Sequence, residues 1–372
     1  MNAEFIEILD KLQSSDCVAF FVVVDCWKSV EEATERKLRL LLREARDLPA
    51  AEESDFLETK LPSYYDPLKF QLGQRVFDSN VFTMMIGKLA GLLTLLAVPS
   101  ILAILKFTKQ SGTPCTAFRR YASTILHTCV WYKNSPEQRV EFFESLKNVR
   151  KKHCIASRRS FEAGVGKITQ LDMALTQFGF MGFPLLCDKR LGIVTTEEEL
   201  EGLIHFWRVI GRMLGIEERF NICNGSVEET RALCRRLLED IFLPHLAKPS
   251  EDFDEMGRVL LEGLWPVNPF IDNDAFRAFT IDLVTSAVPN NNHPLMIGTR
   301  TMSRYSRFVL NLQLFVHEYL IAATYRWSFV FRAIFNAQMR MGIFLTERFP
   351  FLAYWLFGRS NSCVNIYKFH FD

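Results

Sequence analysis

The amino-acid sequence predicts an all-α protein built as a single large helical domain. Gly and Pro are few, at 18 and 14 of 372 residues, whereas sandwiches and barrels need many turn residues. Several segments repeat apolar residues at helical spacing behind a cap residue, and strand-like alternation is scarce. Because 49% of the residues are hydrophobic and 23% are charged, the composition is that of a globular chain with a sizeable core.

Charge and cysteine content exclude some classes of protein. The formal net charge is +1, which argues against a nucleic-acid binder because phosphate contacts demand a clustered excess of positive charge. The 9 cysteines are an odd number without a C-x-x-C pair, which indicates reduced thiols in an intracellular protein. Residues 1–4 are acidic and lack the basic region and cleavage site of a signal peptide, so we expect no secretory targeting.

The first 80 residues predict a helical extension followed by a loop. Residues 29–48 combine charges with a Leu stripe, and Ser29 with Glu32 three residues later is typical of a capping box. Residues 18–24 are a short apolar run that fits either a strand or a short buried helix. Residues 50–75 are polar and contain two prolines, so we predict a loop before the core begins.

Two apolar segments raise the question of a membrane. Residues 89–105 carry no charge and are interrupted by Pro99 and Ser100. This segment is either a buried helix pair of a large core or a membrane-inserted segment. Residues 329–357 are rich in Phe, Ile, Leu and Trp but contain several charges, so this segment would lie on a membrane more readily than cross it.

The core of the chain carries a series of helix signals. Ser135 and Pro136 are a typical helix start, and Thr196 and Ser226 each precede a Glu by three residues as in capping boxes. Gly215 is typical of a helix end. We therefore predict helices over residues 116–132, 136–160, 196–215 and from 226, and further helices near 253–264, 273–287 and 306–346.

His153 is the most informative polar residue of the helix predicted over 136–160. It lies four residues after Val149 and seven after Leu146, so it points into the core with them. Basic residues surround it in the sequence. A buried histidine beside cations fits a haem-iron ligand, because haem propionates need cationic partners. The alternative is a core histidine whose hydrogen bonds are satisfied.

The preceding helix carries a polar stripe. Arg120, Ser123, Thr124, His127 and Trp131 follow one another at spacings that place them on one helix face. Such a face either lines a cavity with donors for dioxygen or a carboxylate, or is an ordinary hydrated face. Metalloprotease, hydrolase, dinucleotide-binding and nucleotide-triphosphate motifs are missing from the sequence.

The order of several short motifs is familiar. They are Gly91, Leu92, Leu93, Val98 and Pro99; Arg120, Ser123 and Thr124; Val149, Arg150 and His153; residues 168–173 with Thr176; and Phe206, Trp207, Arg208, Gly211, Leu214 and Gly215. In this order and spacing the chain resembles the family of latex-clearing rubber oxygenases and the ER-bound oxygenase of mycophenolic acid biosynthesis. The resemblance runs from about residue 87 to 216, with weaker support to about 330.

The resemblance implies a globin-like helical core and a b-type haem with His153 as its iron ligand. It also implies that Arg150 and Arg158 assist in binding the haem, and that Arg120 and Thr124 act on its opposite side. This chain departs from the family pattern at three positions. Ser123 replaces a lysine, Ser157 stands where an arginine is expected so that Arg158 follows one residue late, and Gly179 stands where an aromatic is expected.

The resemblance implies a haem-dependent oxygenase that uses dioxygen to cleave a carbon–carbon double bond of an apolar lipid or isoprenoid. The alternative is a non-catalytic helical protein that keeps the fold and binds lipid or a membrane. We divide the chain into an extension at 1–80, an oxygenase-like catalytic domain at 81–330 and an apolar segment at 331–372. We expect an intracellular location with membrane association, at the endoplasmic reticulum or another membrane, and no nucleic-acid partner.

Overall fold

A computed structural model describes residues 17–50, 60–137, 140–288 and 302–366 of the chain. Within these ranges the regular structure is helical, and the only β pairing is an isolated bridge between Pro49 and Thr169. The predicted all-α class is therefore confirmed. The seven cysteines whose side chains are described are all free thiols.

The helices of the first half include the three that form the candidate site. In chain order, the helices of this half are α1 (Cys17–Leu40, continued by a π-helical turn at Leu41–Ala45), α2 (Pro67–Ser79), α3 (Val81–Leu95), α4 (Pro99–Phe107), α5 (Pro114–Lys133), α6 (Val140–Glu162), α7 (Gln170–Leu186) and α8 (Asp188–Leu191). The three that form the candidate site are α4, α5 and α6.

The helices of the second half complete the core. They are α9 (Glu197–Met213), α10 (Val227–Leu237, continued by a π-helical segment at Leu238–Phe242), α11 (Leu243–Ala247), α12 (Glu251–Leu264), α13 (Asn273–Ala287), α14 (Arg304–Phe315, continued by a π-helical segment at Val316–Leu320), α15 (Ser328–Arg348), α16 (Phe351–Phe357) and α17 (Arg359–Ser362).

Capping boxes start several of these helices where the sequence predicts them. Thr196 and Ser226 each accept a hydrogen bond from the backbone N–H of the Glu three residues later, which caps α9 and α10. Thr113 and Thr169 cap α5 and α7 in the same way. A side-chain oxygen satisfies an N–H that the first helical turn leaves without a partner, so local sequence sets these boundaries.

Four predicted segments differ from the structure. Residues 18–24 are helical, one of the two alternatives, but they belong to the long helix α1, which runs through Ser29 and therefore does not begin at the capping box predicted there. The predicted loop at 50–75 ends early, because Asp66 caps a helix that begins at Pro67. The helix predicted from Pro136 begins at Val140, since residues 136–137 form a turn, and 138–139 lie outside the described ranges. The helix predicted over 306–346 is broken between α14 and α15.

The uncharged segment at 89–105 forms the end of α3, a turn, and most of α4. Most of its side chains are buried in the protein core, including Leu93, Leu96 and Leu102. No single described helix is long and apolar enough to cross a bilayer, while α2 and α3, bent by 94° at Asn80, would pass as a pair on length and composition.

Glycines allow two helix pairs to cross at very short range. Helix α3 packs along α7, and a Cβ atom at Gly91 would lie 2.1 Å from the carbonyl oxygen of Gly179. Helix α2 packs along α9, and a Cβ at Gly73 would lie 2.5 Å from the carbonyl oxygen of Gly202. Gly179, which stands where the family pattern has an aromatic, therefore lies at a backbone-to-backbone crossing.

Candidate functional site

The candidate site lies where α4 and α5 pack against α6. Arg120 of α5 donates from Nη1 to the hydroxyl oxygen of Thr108, just after α4, at 3.1 Å. The Arg120 guanidinium is also close enough to His153 of α6 to lower the pKa of its imidazole. The structure thus brings together two of the residues that the sequence singled out, from two different helices.

His153 has an unsatisfied ring. Its Nδ1 is buried and has no hydrogen-bond partner. Desolvation, with smaller contributions from the Arg120 and Lys152 cations, lowers the pKa of His153 to about 4, so the imidazole is neutral at pH 7. A buried polar atom without a partner costs about 1–3 kcal/mol. A neutral imidazole with a free nitrogen is the form that binds iron.

Arg120 and His153 are partly rather than fully buried, although desolvation dominates the pKa shift of each. Both side chains are therefore shielded from much of the solvent by the neighbouring helices. Within the described ranges neither Arg120 nor Lys152 forms an ion pair with a carboxylate. A cation that is shielded from solvent and has no carboxylate partner favours an anionic ligand, such as a carboxylate.

The polar stripe of α5 divides into two parts. At its C-terminal end, Trp131 Nε1 donates to Ser145 Oγ at 2.9 Å, and His127 Nδ1 lies 2.8 Å from the same oxygen. These three residues hold α5 against α6. At its N-terminal end the Thr124 hydroxyl donates to the Arg120 carbonyl oxygen at 3.1 Å. The Thr124 oxygen can therefore accept a hydrogen bond from a ligand, but its proton is already used.

The two arginines that the resemblance assigns to cofactor binding lie in different environments. Arg150 is partly buried, and its Nη1 donates to the Met213 carbonyl oxygen at 3.5 Å. Arg158 is exposed near the end of α6. Ser157, which stands where the family pattern has an arginine, accepts a hydrogen bond from the Ile168 N–H at 3.0 Å and so ties the following loop to α6.

Lys88 is a partly buried polar residue near the site that no sequence motif indicated. Its Nζ donates to Thr128 Oγ1 at 2.8 Å and lies 4.6 Å from the centre of the Phe180 ring. Burial lowers the pKa of Lys88 to about 7. Thr128 lies one helical turn beyond Thr124, and its hydroxyl donates to the Thr124 carbonyl oxygen. The only sign of this residue in the sequence is that it is the single charged residue in the otherwise uncharged stretch of α3.

A surface groove of about 610 Å³ lies elsewhere, between α1 and α10. Its lining includes the charged residues Arg36, Arg43, Glu44 and Arg219. It contains none of the residues predicted for the site. Within the described ranges no three or more His, Cys, Asp or Glu side chains are grouped so that they could hold a metal ion.

Two fully buried histidines predict loss of stability in acid. Burial lowers the pKa of His127 to about 3 and that of His317, which lies between the rings of Phe82 and Phe279, to about 4. In the unfolded chain both titrate near their ordinary value of about 6.5. The unfolded state therefore binds more protons between about pH 6.5 and 4.

These two histidines should add no pH dependence above about pH 7, and the free energy of unfolding should fall below pH 6.5 as the unfolded state takes up protons. At about pH 4 the free energy of unfolding should be lower by about 3 kcal/mol for each of the two histidines. Urea denaturation at pH 7.5, 6.0 and 5.0 measures the effect. Equal stability at the three pH values would show that these imidazoles are not held neutral in the folded protein.

Comparison with known proteins gives one family and one similar structure. The sequence profile of the family described as "ER-bound oxygenase mpaB/B'/Rubber oxygenase, catalytic domain" matches residues 75–323, which is more than half of the chain and includes α5 and α6. A solved structure of latex clearing protein LCP in the closed state is similar, with 15% identity and a TM-score of 0.46 over 77% of this chain and 76% of that chain. Curated proteins give no significant match.

Proposed function

Because the chain belongs to the family of ER-bound oxygenase mpaB/B' and rubber oxygenase catalytic domains, we propose that it is a haem-dependent oxygenase acting on an apolar lipid or isoprenoid substrate. The observation that carries the proposal is the unsatisfied imidazole of His153 beside the Arg120 guanidinium. Both residues lie within the matched range. In this proposal His153 is the only protein ligand that the iron requires.

The orphaned nitrogen alone does not distinguish His153, because one ring nitrogen of His127 and of His317 is also buried without a partner. His127 is engaged by Ser145, and His317 Nδ1 lies 3.0 Å from the Leu191 carbonyl oxygen. Both rings are sealed in the core, at 2% and 1% exposure. His153 combines a free nitrogen with accessible surface and an adjacent arginine, and this combination fits a cofactor ligand.

The bound haem would supply an iron atom able to activate dioxygen for oxidation of a carbon–carbon double bond. The chain's own residues provide the surroundings. Arg120 keeps N–H groups beyond the one that bonds Thr108, and these can donate to a propionate or to negative charge that develops during the reaction. The Thr124 hydroxyl already donates to the Arg120 carbonyl oxygen, so its oxygen can only accept a hydrogen bond from a ligand. Apolar side chains on α4, α6 and α7, such as Leu105, Val149 and Phe180, suit a substrate without polar groups.

Substitution of Arg120 tests the proposal at the level of turnover. Arg120→Met should keep the haem but lower oxygen consumption with an unsaturated lipid by about 100-fold, because one preoriented donor is lost. The matched control is Arg119→Met, since Arg119 is the exposed neighbour of Arg120 on α5. Equal turnover in the two variants would contradict a catalytic role for Arg120. Loss of haem in Arg120→Met alone would assign Arg120 to the propionates instead.

The non-catalytic alternative rests on Ser123, which replaces a lysine of the family pattern. In that case the protein would bind the apolar ligand without consuming oxygen. A reconstituted, haem-loaded protein that consumes no oxygen with a panel of unsaturated lipids and isoprenoids, yet binds one of them, would favour this alternative.

A further inference from the structure

Large apolar side chains are exposed mainly on the C-terminal helices. Of 23 exposed large hydrophobic residues in the described ranges, 16 lie between Tyr305 and Leu356. We name these 16 the C-terminal apolar face: Tyr305, Phe308, Leu312, Phe315, Tyr319, Trp327, Phe329, Val330, Ile334, Met341, Phe344, Phe349, Phe351, Leu352, Trp355 and Leu356. Scattered apolar residues are normal on a protein surface, but a concentration of this kind marks an interaction surface.

Helix α15 exposes apolar side chains on its outward side as well as burying some on its inward side. Its buried side combines Met339 and Ile343 with the polar residues Ser328, Asn336 and Thr346. Asn336 donates to the Ser79 carbonyl oxygen at 2.7 Å and accepts from the Phe82 N–H at 3.0 Å. The hydrogen bonds of its side-chain amide are thus made to the protein rather than to solvent. The outward side carries the apolar residues from Phe329 to Phe344. A helix with its apolar side outward needs an apolar medium or partner there.

Ring contacts join this outward side to the neighbouring helices. On α14 and its continuation, Tyr305, Phe308, Leu312, Phe315 and Tyr319 are exposed at spacings of three and four residues, so they form one stripe. Contacts between successive rings at 4.8–6.3 Å link this stripe to the start of α15, through Phe315, Tyr319, Tyr325 and Trp327. Ring centres 6.0–6.4 Å apart link the end of α15 to α16, through Phe344, Phe349, Phe351 and Tyr354.

The charge of these helices indicates the partner. Residues 302–366 contain 7 Arg, no Lys, 2 Glu and no Asp, in a chain whose formal net charge is only +1. One of the two acids, Glu318, is already paired with Arg190 of α8. The segment is therefore strongly cationic as well as apolar. Tyr and Trp side chains, of which Trp327 and Trp355 are 51% and 75% exposed, prefer the boundary between lipid tails and head groups.

We propose that the C-terminal apolar face docks the protein onto the surface of an anionic lipid bilayer. The apolar side chains enter the boundary of the acyl chains, and the arginines meet the anionic head groups. The inference concerns α14–α16 and stands independently of the proposed haem site. If both hold, docking would bring an apolar substrate to the enzyme from the membrane in which it dissolves.

Vesicle flotation of the full-length protein tests this inference. We expect binding to phosphatidylcholine vesicles that contain phosphatidylserine and weaker binding to phosphatidylcholine alone. The double variant Phe329→Glu with Phe344→Glu should reduce partitioning onto the anionic vesicles by about tenfold or more. The matched control is Leu68→Glu with Phe270→Glu, because these two residues are also highly exposed but lie outside the face. It should bind as the wild type does, and circular dichroism checks that both variants remain folded.

A second variant tests the charge. Arg307→Gln with Arg326→Gln should remove most of the gain in binding that phosphatidylserine provides. Sedimentation velocity without vesicles tests the competing occupant, a second copy of the chain. A wild-type protein that sediments as a dimer and does not float would overturn the inference, as would equal flotation of the Phe329/Phe344 variant and its control.

Discussion

Replacement of His153 by alanine is expected to abolish haem retention while leaving the helical content intact. The imidazole has a buried Nδ1 without a partner, and it is neutral at pH 7 because its pKa is lowered to about 4. Its removal would take away the proposed iron ligand and one unsatisfied polar group together, so the fold should lose little stability. The Soret absorbance per protein, measured after haemin reconstitution and gel filtration, should fall to background.

His245 provides the control for this substitution. It lies in the short helix α11, and it belongs to none of the motifs that carry the resemblance. His245→Ala should retain haem at the wild-type ratio. An unchanged Soret band in His153→Ala would remove the ligand assignment, whereas loss in both variants would indicate general instability rather than loss of a ligand.

Replacement of Gly91 by alanine is expected to destabilise the protein by about 3 kcal/mol. A Cβ atom there would lie 2.1 Å from the Gly179 carbonyl oxygen and 2.8 Å from its carbon, so α3 and α7 would have to separate. In the interior of a helix that tolerated the methyl group, the same change would stabilise by up to about 1 kcal/mol. The sign of the effect therefore separates a close crossing from an ordinary helix position.

Gly112 gives the matched comparison, because a Cβ atom there would meet only the Lys109 carbonyl oxygen, at 4.0 Å. Gly112→Ala should change the midpoint of urea denaturation little, while Gly91→Ala should lower it strongly. A Gly91→Ala protein as stable as the wild type would mean that α3 and α7 do not approach as closely as described.

Much of the fold could be predicted because its signals are local. Thr196 and Ser226 mark helix starts through hydrogen bonds that span three residues, and the apolar faces of α9 and α10 follow at helical spacing. The predictions are wrong where two local signals conflict or where a helix ends without a local signal. The two prolines in 50–75 predict a loop, although Asp66 before Pro67 caps a helix. The apolar residues of 306–346 give no sign of the break before Ser328.

The site was less predictable because it depends on contacts between helices. The spacing on α6 placed His153 on the inward face, but its relation to Arg120 depends on how α5 packs against α6. The stripe on α5 could not be divided from sequence, since Ser145, which engages His127 and Trp131, comes from another helix. Lys88 escaped notice because a lone lysine in an apolar helix has no spacing pattern.

The exposed apolar side of α15 likewise could not be assigned from the sequence. Apolar residues in 329–357 were recognised as suited to a membrane surface, but the sequence does not say which side of a helix faces the protein. The contacts of Asn336 with Ser79 and Phe82, together with the burial of Met339 and Ile343, show which side of α15 faces the protein.

The most direct test of the proposed function is the haem content of the purified full-length protein, measured by its visible spectrum and a pyridine haemochrome assay after reconstitution with haemin. A Soret band with a stoichiometry near one b-type haem per chain is the predicted result, and it would support His153 as the ligand within an oxygenase. A well-folded protein that takes up no haem under these conditions would contradict the account, and would leave a member of the family that keeps the fold without the cofactor.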